Sequence, residues 1–186
     1  MKIAILGWGS LIWDPGQLPY KGSWLTGGPQ LQIEFSRISN NGRLTLVIDL
    51  NDGELVPTRF VESTRTTLSD AIDDLRAREG SPTDKAIGYV DIVKNERSNT
   101  QYPDHAAVFD DVADWCGQAT FDAVVWTALP PNFQDKRGVA FSVNNAVSYL
   151  QGLTPPAQKT ALDYIRNAPT EVDTPFRRKA KATGLI

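Results

Sequence analysis

The stretch Ile3-Ala4-Ile5-Leu6-Gly7-Trp8-Gly9-Ser10-Leu11-Ile12-Trp13 constrains this chain more than any other. An apolar run of strand length breaks into Gly-x-Gly-Ser and then turns apolar again. Two glycines so close let the backbone turn sharply and bring its amide groups near a ligand. Donors held that way suit a carboxylate, a phosphate or an oxyanion. A dinucleotide fingerprint requires Gly-x-Gly-x-x-Gly, but Ile12 holds the last position, and Asp14-Pro15-Gly16 is turn chemistry rather than a helix start. A nucleophile elbow requires Gly-x-Ser-x-Gly, and Trp8 and Ile12 occupy its glycine positions. Two readings remain open at this level. One is a Gly-Ser-Leu loop whose backbone binds a small anionic group. The other is a tight bend at the corner of a small barrel.

The rest of the composition narrows the setting. A chain of 186 residues is expected to form one domain, spanning 1–186, with a core large enough to need no disulfide or structural metal. One cysteine, Cys116, excludes an intrachain disulfide; with one histidine, His105, it argues against a zinc site. No apolar run approaches the ~20 residues of a membrane span. The N-terminus lacks the small-residue cleavage site of a signal peptide, so a reducing, cytoplasmic setting is the expectation. A net charge of −3 argues against broad nucleic-acid binding. The basic cluster Arg177, Arg178, Lys179 and Lys181 reads as a solvated helix end or tail, with a protein-interaction role as the functional alternative.

Local patterns outline an α+β chain. Residues 2–7 read as a strand, and 13–30, rich in Pro and Gly, as a long loop anchored by Trp13, Tyr20 and Trp24. Strands at 30–38 and 43–50 flank Asn40-Asn41-Gly42, a hairpin signal, and a third strand covers 55–61. A helix over 66–79 is capped by Thr66 or Thr67, carries Leu68, Ala71, Ile72 and Leu75 on one face, and stops at Gly80. Strands follow at 86–93 and 123–128, then helices at 144–150 and 156–167 in a helical C-terminal extension from about residue 140. Segment 173–178 reads either as a cover for the site or as a tail.

Glu79 is the leading candidate acid/base. It ends its helix at the negative pole of the dipole, and a carboxylate so placed in apolar surroundings suits proton transfer near neutral pH. Arg76 and Arg78 read as its partners or as solvated groups. Arg37 would line the site if Ile33, Phe35 and Arg37 share one face of a strand, and otherwise faces solvent. His105, in a Pro-Asp-rich loop, reads as a surface residue, and Cys116 as a small packed one.

Gly7-Trp8-Gly9-Ser10-Leu11-Ile12-Trp13 resembles the Tyr-Gly-Ser-Leu loop of the gamma-glutamylcyclotransferase-like superfamily. Leu75-Arg76-Ala77-Arg78-Glu79-Gly80 is similar to that family's helix end, and Ile87 to Ile92 fits the strand that follows. Phe35-Ser36-Arg37-Ile38-Ser39 faintly resembles its second strand. The resemblance covers residues 3–93. It implies a small mixed, mostly antiparallel β-barrel with flanking helices, and Glu79 as catalytic acid/base. It also implies substrate binding by Trp8, Gly9, Ser10 and Leu11, with no cofactor and no metal. The implied reaction closes a gamma-glutamyl-type substrate on its own amine and releases an amine. The alternative is a domain of the same fold that binds or senses a small ligand without turnover. Trp8 departs from the family's Tyr; an indole offers one N–H donor and no acceptor, which changes what a substrate meets.

Overall fold

The computed structural model describes residues 1–98 and 106–186; the reading of His105 falls outside them. Seven strands and six helices appear in these residues. In chain order they are β1 (Ile3–Gly7), β2 (Tyr20–Ile38), β3 (Leu44–Ile48), β4 (Glu54–Ser63), α1 (Leu68–Glu79), β5 (Ile87–Asp91), β6 (Glu96–Arg97), α2 (Ala106–Gln118), β7 (Ala123–Thr127), α3 (Phe133–Arg137), α4 (Val143–Gln151), α5 (Pro155–Asn167) and α6 (Pro175–Ala182). The strand order is β3-β2-β4-β1-β7-β5-β6. The pairs β1–β4, β2–β3, β5–β6 and β5–β7 are antiparallel, and β1 and β7 run parallel with Ile3 opposite Ala123. The fold is therefore α+β with a mostly antiparallel sheet. Among the described residues the order is linear, with β3 and the two-residue β6 at its ends, so the sheet is open and the expected barrel closure is not seen.

The chain forms two compact units, residues 1–30 with 57–129, and residues 31–56 with 130–186. In the first, Ile3 and Ile5 of β1, Val61 of β4, Ala71 and Leu75 of α1, Ile87 of β5 and Ala123 and Val125 of β7 form one apolar cluster. Period-two alternation on the strands and the i, i+4 spacing of Ala71 and Leu75 dictate which side chains enter it. Helix α1 starts where its sequence says: the Thr67 hydroxyl accepts the Asp70 N–H at 3.4 Å. It stops at Gly80, whose φ of 61° is a left-handed conformation that a side chain would resist.

Residues 20–30 are strand, not loop. Tyr20 and Trp24 pack against the apolar cluster, and glycines at 22 and 27 take positive φ where the strand bends. Gly28 lies so close to Thr58 that a Cβ would come within 2.4 Å of its Oγ1, a backbone approach that composition alone makes look like a breaker. Helix α2 was not anticipated, although Val108, Val112 and Cys116 recur every four residues and all are buried.

In the second unit the 39–43 turn closes the β2–β3 hairpin, with the Gly42 N–H on Ser39 O at 2.9 Å. Phe35 meets Phe176 of α6 at 5.4 Å and Tyr164 of α5 at 6.4 Å between ring centroids. The basic cluster lies on α6, where Arg178, Lys179 and Lys181 are exposed as a solvated helix end and Arg177 is not. Arg177 is buried and donates to the carbonyls of Ala168 at 2.6 Å, Val172 at 3.0 Å and Pro169, in the segment that follows α5. Arg178 holds both Glu54 oxygens at 2.8 Å, and Lys181 reaches Asp173 at 3.1 Å.

Candidate functional site

β1 delivers the chain into residues 8–14. Gly7 ends the strand under the Trp24 indole, where a Cβ would come within 2.8 Å of the ring. The next residues turn tightly: Ile12 N–H bonds Gly9 O at 3.0 Å and Asp14 N–H bonds Ser10 O at 2.7 Å. Leu11 sends its side chain into the apolar cluster, which anchors the turn. The N–H groups of Gly9, Ser10 and Leu11 donate to no described residue. Trp8 is buried at 5 % exposure and stands outside the cluster that takes Leu11.

Glu79 is the last residue of α1, and its side chain is 12 % exposed. Oε1 accepts from Arg78 Nη1 at 2.7 Å and from Thr127 Oγ1, at the end of β7, at 3.2 Å. Oε2 bonds to no described residue. The carboxylate thus faces a guanidinium and a hydroxyl rather than the apolar wall its helix-end position suggests. The same guanidinium donates through Nη2 to Ser10 Oγ at 3.1 Å and to Asp14 O at 2.6 Å. Arg78 therefore ties Glu79 to the Gly-Ser-Leu turn.

Of the two arginines read as partners of Glu79, Arg78 is paired with it and Arg76 turns to Asp73 and Asp84; Thr127, and the hold of Arg78 on the turn, are what sequence reasoning missed. Arg78 lies in the last turn of α1, where a cation meets the negative end of the helix. Its loop partners, 68 and 64 positions away, left no local trace. Thr127 shows only as a polar residue closing an apolar strand.

Arg37 belongs to the second unit. Its Nη1 donates to Pro130 O at 2.7 Å. The β2–β3 register slips by one residue between Glu34 and Arg37, so the alternation that would align Ile33, Phe35 and Arg37 is interrupted. Cys116 is buried with its thiol 3.5 Å from Phe121 O, and burial, with Asp122 and Asp91 adding to it, pushes the thiol up to about 11. That leaves no thiolate for nucleophilic work at neutral pH. Among the described residues no group of histidine, cysteine or carboxylate side chains could hold a metal ion.

Comparisons with family models, curated proteins and solved structures return no match to this chain.

Proposed function

We propose that this chain is a gamma-glutamylcyclotransferase-like enzyme, cyclising or transferring a gamma-glutamyl-type acyl group with release of an amine. The observation that carries the reading is the Arg78 bridge. One guanidinium contacts both Glu79 Oε1 and Ser10 Oγ, which supports a carboxylate and an anion-binding turn working on one small molecule. In the proposed reaction the substrate's α-amine attacks its own γ-carbonyl and closes a five-membered lactam. Both groups belong to one molecule, so the site's main task is to hold the reactive conformer. Glu79, through Oε2, takes a proton from the ammonium and returns it to the leaving amine. The N–H groups of Gly9, Ser10 and Leu11 meet the substrate carboxylate or the developing oxyanion. Proton transfer suffices for this chemistry, so the proposal includes no cofactor. The family architecture is proposed on the order of the two motifs and not on barrel closure.

A cytoplasmic setting and a small-molecule partner complete the proposal. Among the described residues no helix is long and apolar enough to cross a membrane. A second reading, a ligand-binding domain without turnover, draws on the ion pair that already engages Glu79 and on Trp8 at the family's Tyr position. The deciding experiment is release of 5-oxoproline from a panel of gamma-glutamyl compounds. Turnover is expected to fall ~10²–10⁴-fold in Glu79→Gln. Release that survives this substitution undiminished shows that another group is the base, and no release from any compound favours the binding domain.

A further inference from the structure

The guanidinium of Arg78 is a donor only, with its N–H groups in a fixed planar fork. In its contact with Ser10 the hydroxyl oxygen must therefore be the acceptor. That leaves the single Ser10 O–H to donate, and no described residue receives it. A hydroxyl whose lone pair is held by a cation is polarised toward donating. The same residue and its two neighbours carry three N–H groups that donate to no described residue. Four donors on three consecutive residues match the lone-pair capacity of one carboxylate, which accepts about four hydrogen bonds. On the other side of the guanidinium, Glu79 commits Oε1 to Arg78 and Thr127, which leaves Oε2 as the oxygen open to a ligand. The guanidinium also holds Asp14 O, so the turn cannot drift from the helix end without breaking this contact.

We propose that Arg78 is the positioning residue of this site: it fixes the Ser10 hydroxyl as a donor toward a ligand carboxylate and restricts Glu79 to one working oxygen. The inference rests on the reading that the Gly9–Leu11 turn binds an anionic group. It adds a side chain outside that turn which sets the preference for a carboxylate over its neutral amide. Arg78 acts through Ser10 and need not touch the ligand.

The test is binding of two probes of nearly equal shape, 5-oxoproline as its anion and 5-oxoprolinamide. Titration calorimetry would compare the unaltered protein, Ser10→Ala, Arg78→Lys and the double variant. The unaltered protein is expected to prefer the anion by tenfold or more, since hydrogen bonds to a charged group carry about that much. Ser10→Ala and Arg78→Lys should each lose most of that preference, because lysine keeps the charge but lacks the fork. The double variant should lose no more than either single one, the signature of two residues acting as one device. A purely structural role would weaken both probes equally and leave their ratio intact, which overturns the proposal. Equal binding of both probes to the unaltered protein, or no binding of either, overturns it too. Selective anion binding without 5-oxoproline release leaves this inference standing while the enzymatic reading fails. Release without anion preference does the reverse.

Discussion

Glu34 is fully buried in the second unit, and its burial has a measurable consequence. Oε1 accepts the Phe35 N–H at 2.7 Å, and Oε2 accepts the Phe176 N–H at 3.0 Å in the first turn of α6, with the Thr174 side chain also bonded. Those bonds favour the charged form. Loss of water outweighs them, aided by the nearby Asp49, and the carboxyl is raised from 4.5 to about 7. The folded state therefore holds a proton that the unfolded chain releases, and stability falls as pH rises through this window. The contribution is fully present below about 4.5 and gone above about 7. A tenfold change in proton affinity is about 1.4 kcal/mol, so the interval corresponds to roughly 3–4 kcal/mol. Glu34→Gln removes the titration. Its amide N–H₂ would face a backbone N–H that the carboxylate satisfied, costing ~1–3 kcal/mol. The variant should thus be less stable than the unaltered protein at pH 5, and the gap should close or reverse by pH 8. Urea unfolding at both pH values, with hydrogen exchange at Phe176 and Arg177 to report on α6, measures it. Asp52, also pushed up by partial burial and Asp49, stays in both proteins and largely cancels in the difference. Parallel stability curves for the two proteins across pH 5–8 would refute the reasoning.

Other outcomes follow from the same contacts. Gly88→Ala would place a Cβ 2.2 Å from Trp126 Cε2 inside the first unit; a loss of ~1–3 kcal/mol or more is expected in thermal melts. Arg177→Met strands the Ala168 and Val172 carbonyls that the guanidinium now satisfies, and chemical denaturation should show a loss of at least ~2 kcal/mol. Thr67→Ala removes the α1 cap and should cost ~1 kcal/mol, while leaving the carboxylate-over-amide preference unchanged in the binding assay.

What the sequence disclosed and what it hid divide along physical lines. Thr67, Gly80 and the Asn40-Asn41-Gly42 turn act through bonds to near neighbours, so their signals lie within a few residues and were legible. The Gly9-Ser10-Leu11 turn and Glu79 could be singled out for the same reason. Residues 20–30 misled because glycine there serves close strand packing against Thr58 as well as bending. The bulge before Arg37 depends on how β3 pairs with β2, which no single-strand pattern reports. The pairing of Arg78 with Glu79, one residue away, was open to the sequence, but its hold on the turn was not. That hold arises only when a distant turn supplies Ser10 and Asp14, a tertiary fact with no periodicity. The Pro175 start and the Phe176–Ala180 spacing of α6 were visible but too short to outweigh the basic residues around them.

Neither compact unit is a continuous stretch of chain, and this matters during synthesis. The β2–β3 hairpin leaves the ribosome with Phe35 uncovered, about 130 to 140 residues before Tyr164 and Phe176 arrive to pack on it. The first unit likewise waits for β7 before β1 gains its parallel partner. Folding is therefore dominated by late, long-range closure, which slows it and lengthens the exposure of apolar strand surface. A chain cut once anywhere between residues 31 and 129 would leave both units incomplete on either fragment. Such fragments should be insoluble alone and recoverable only by co-expression.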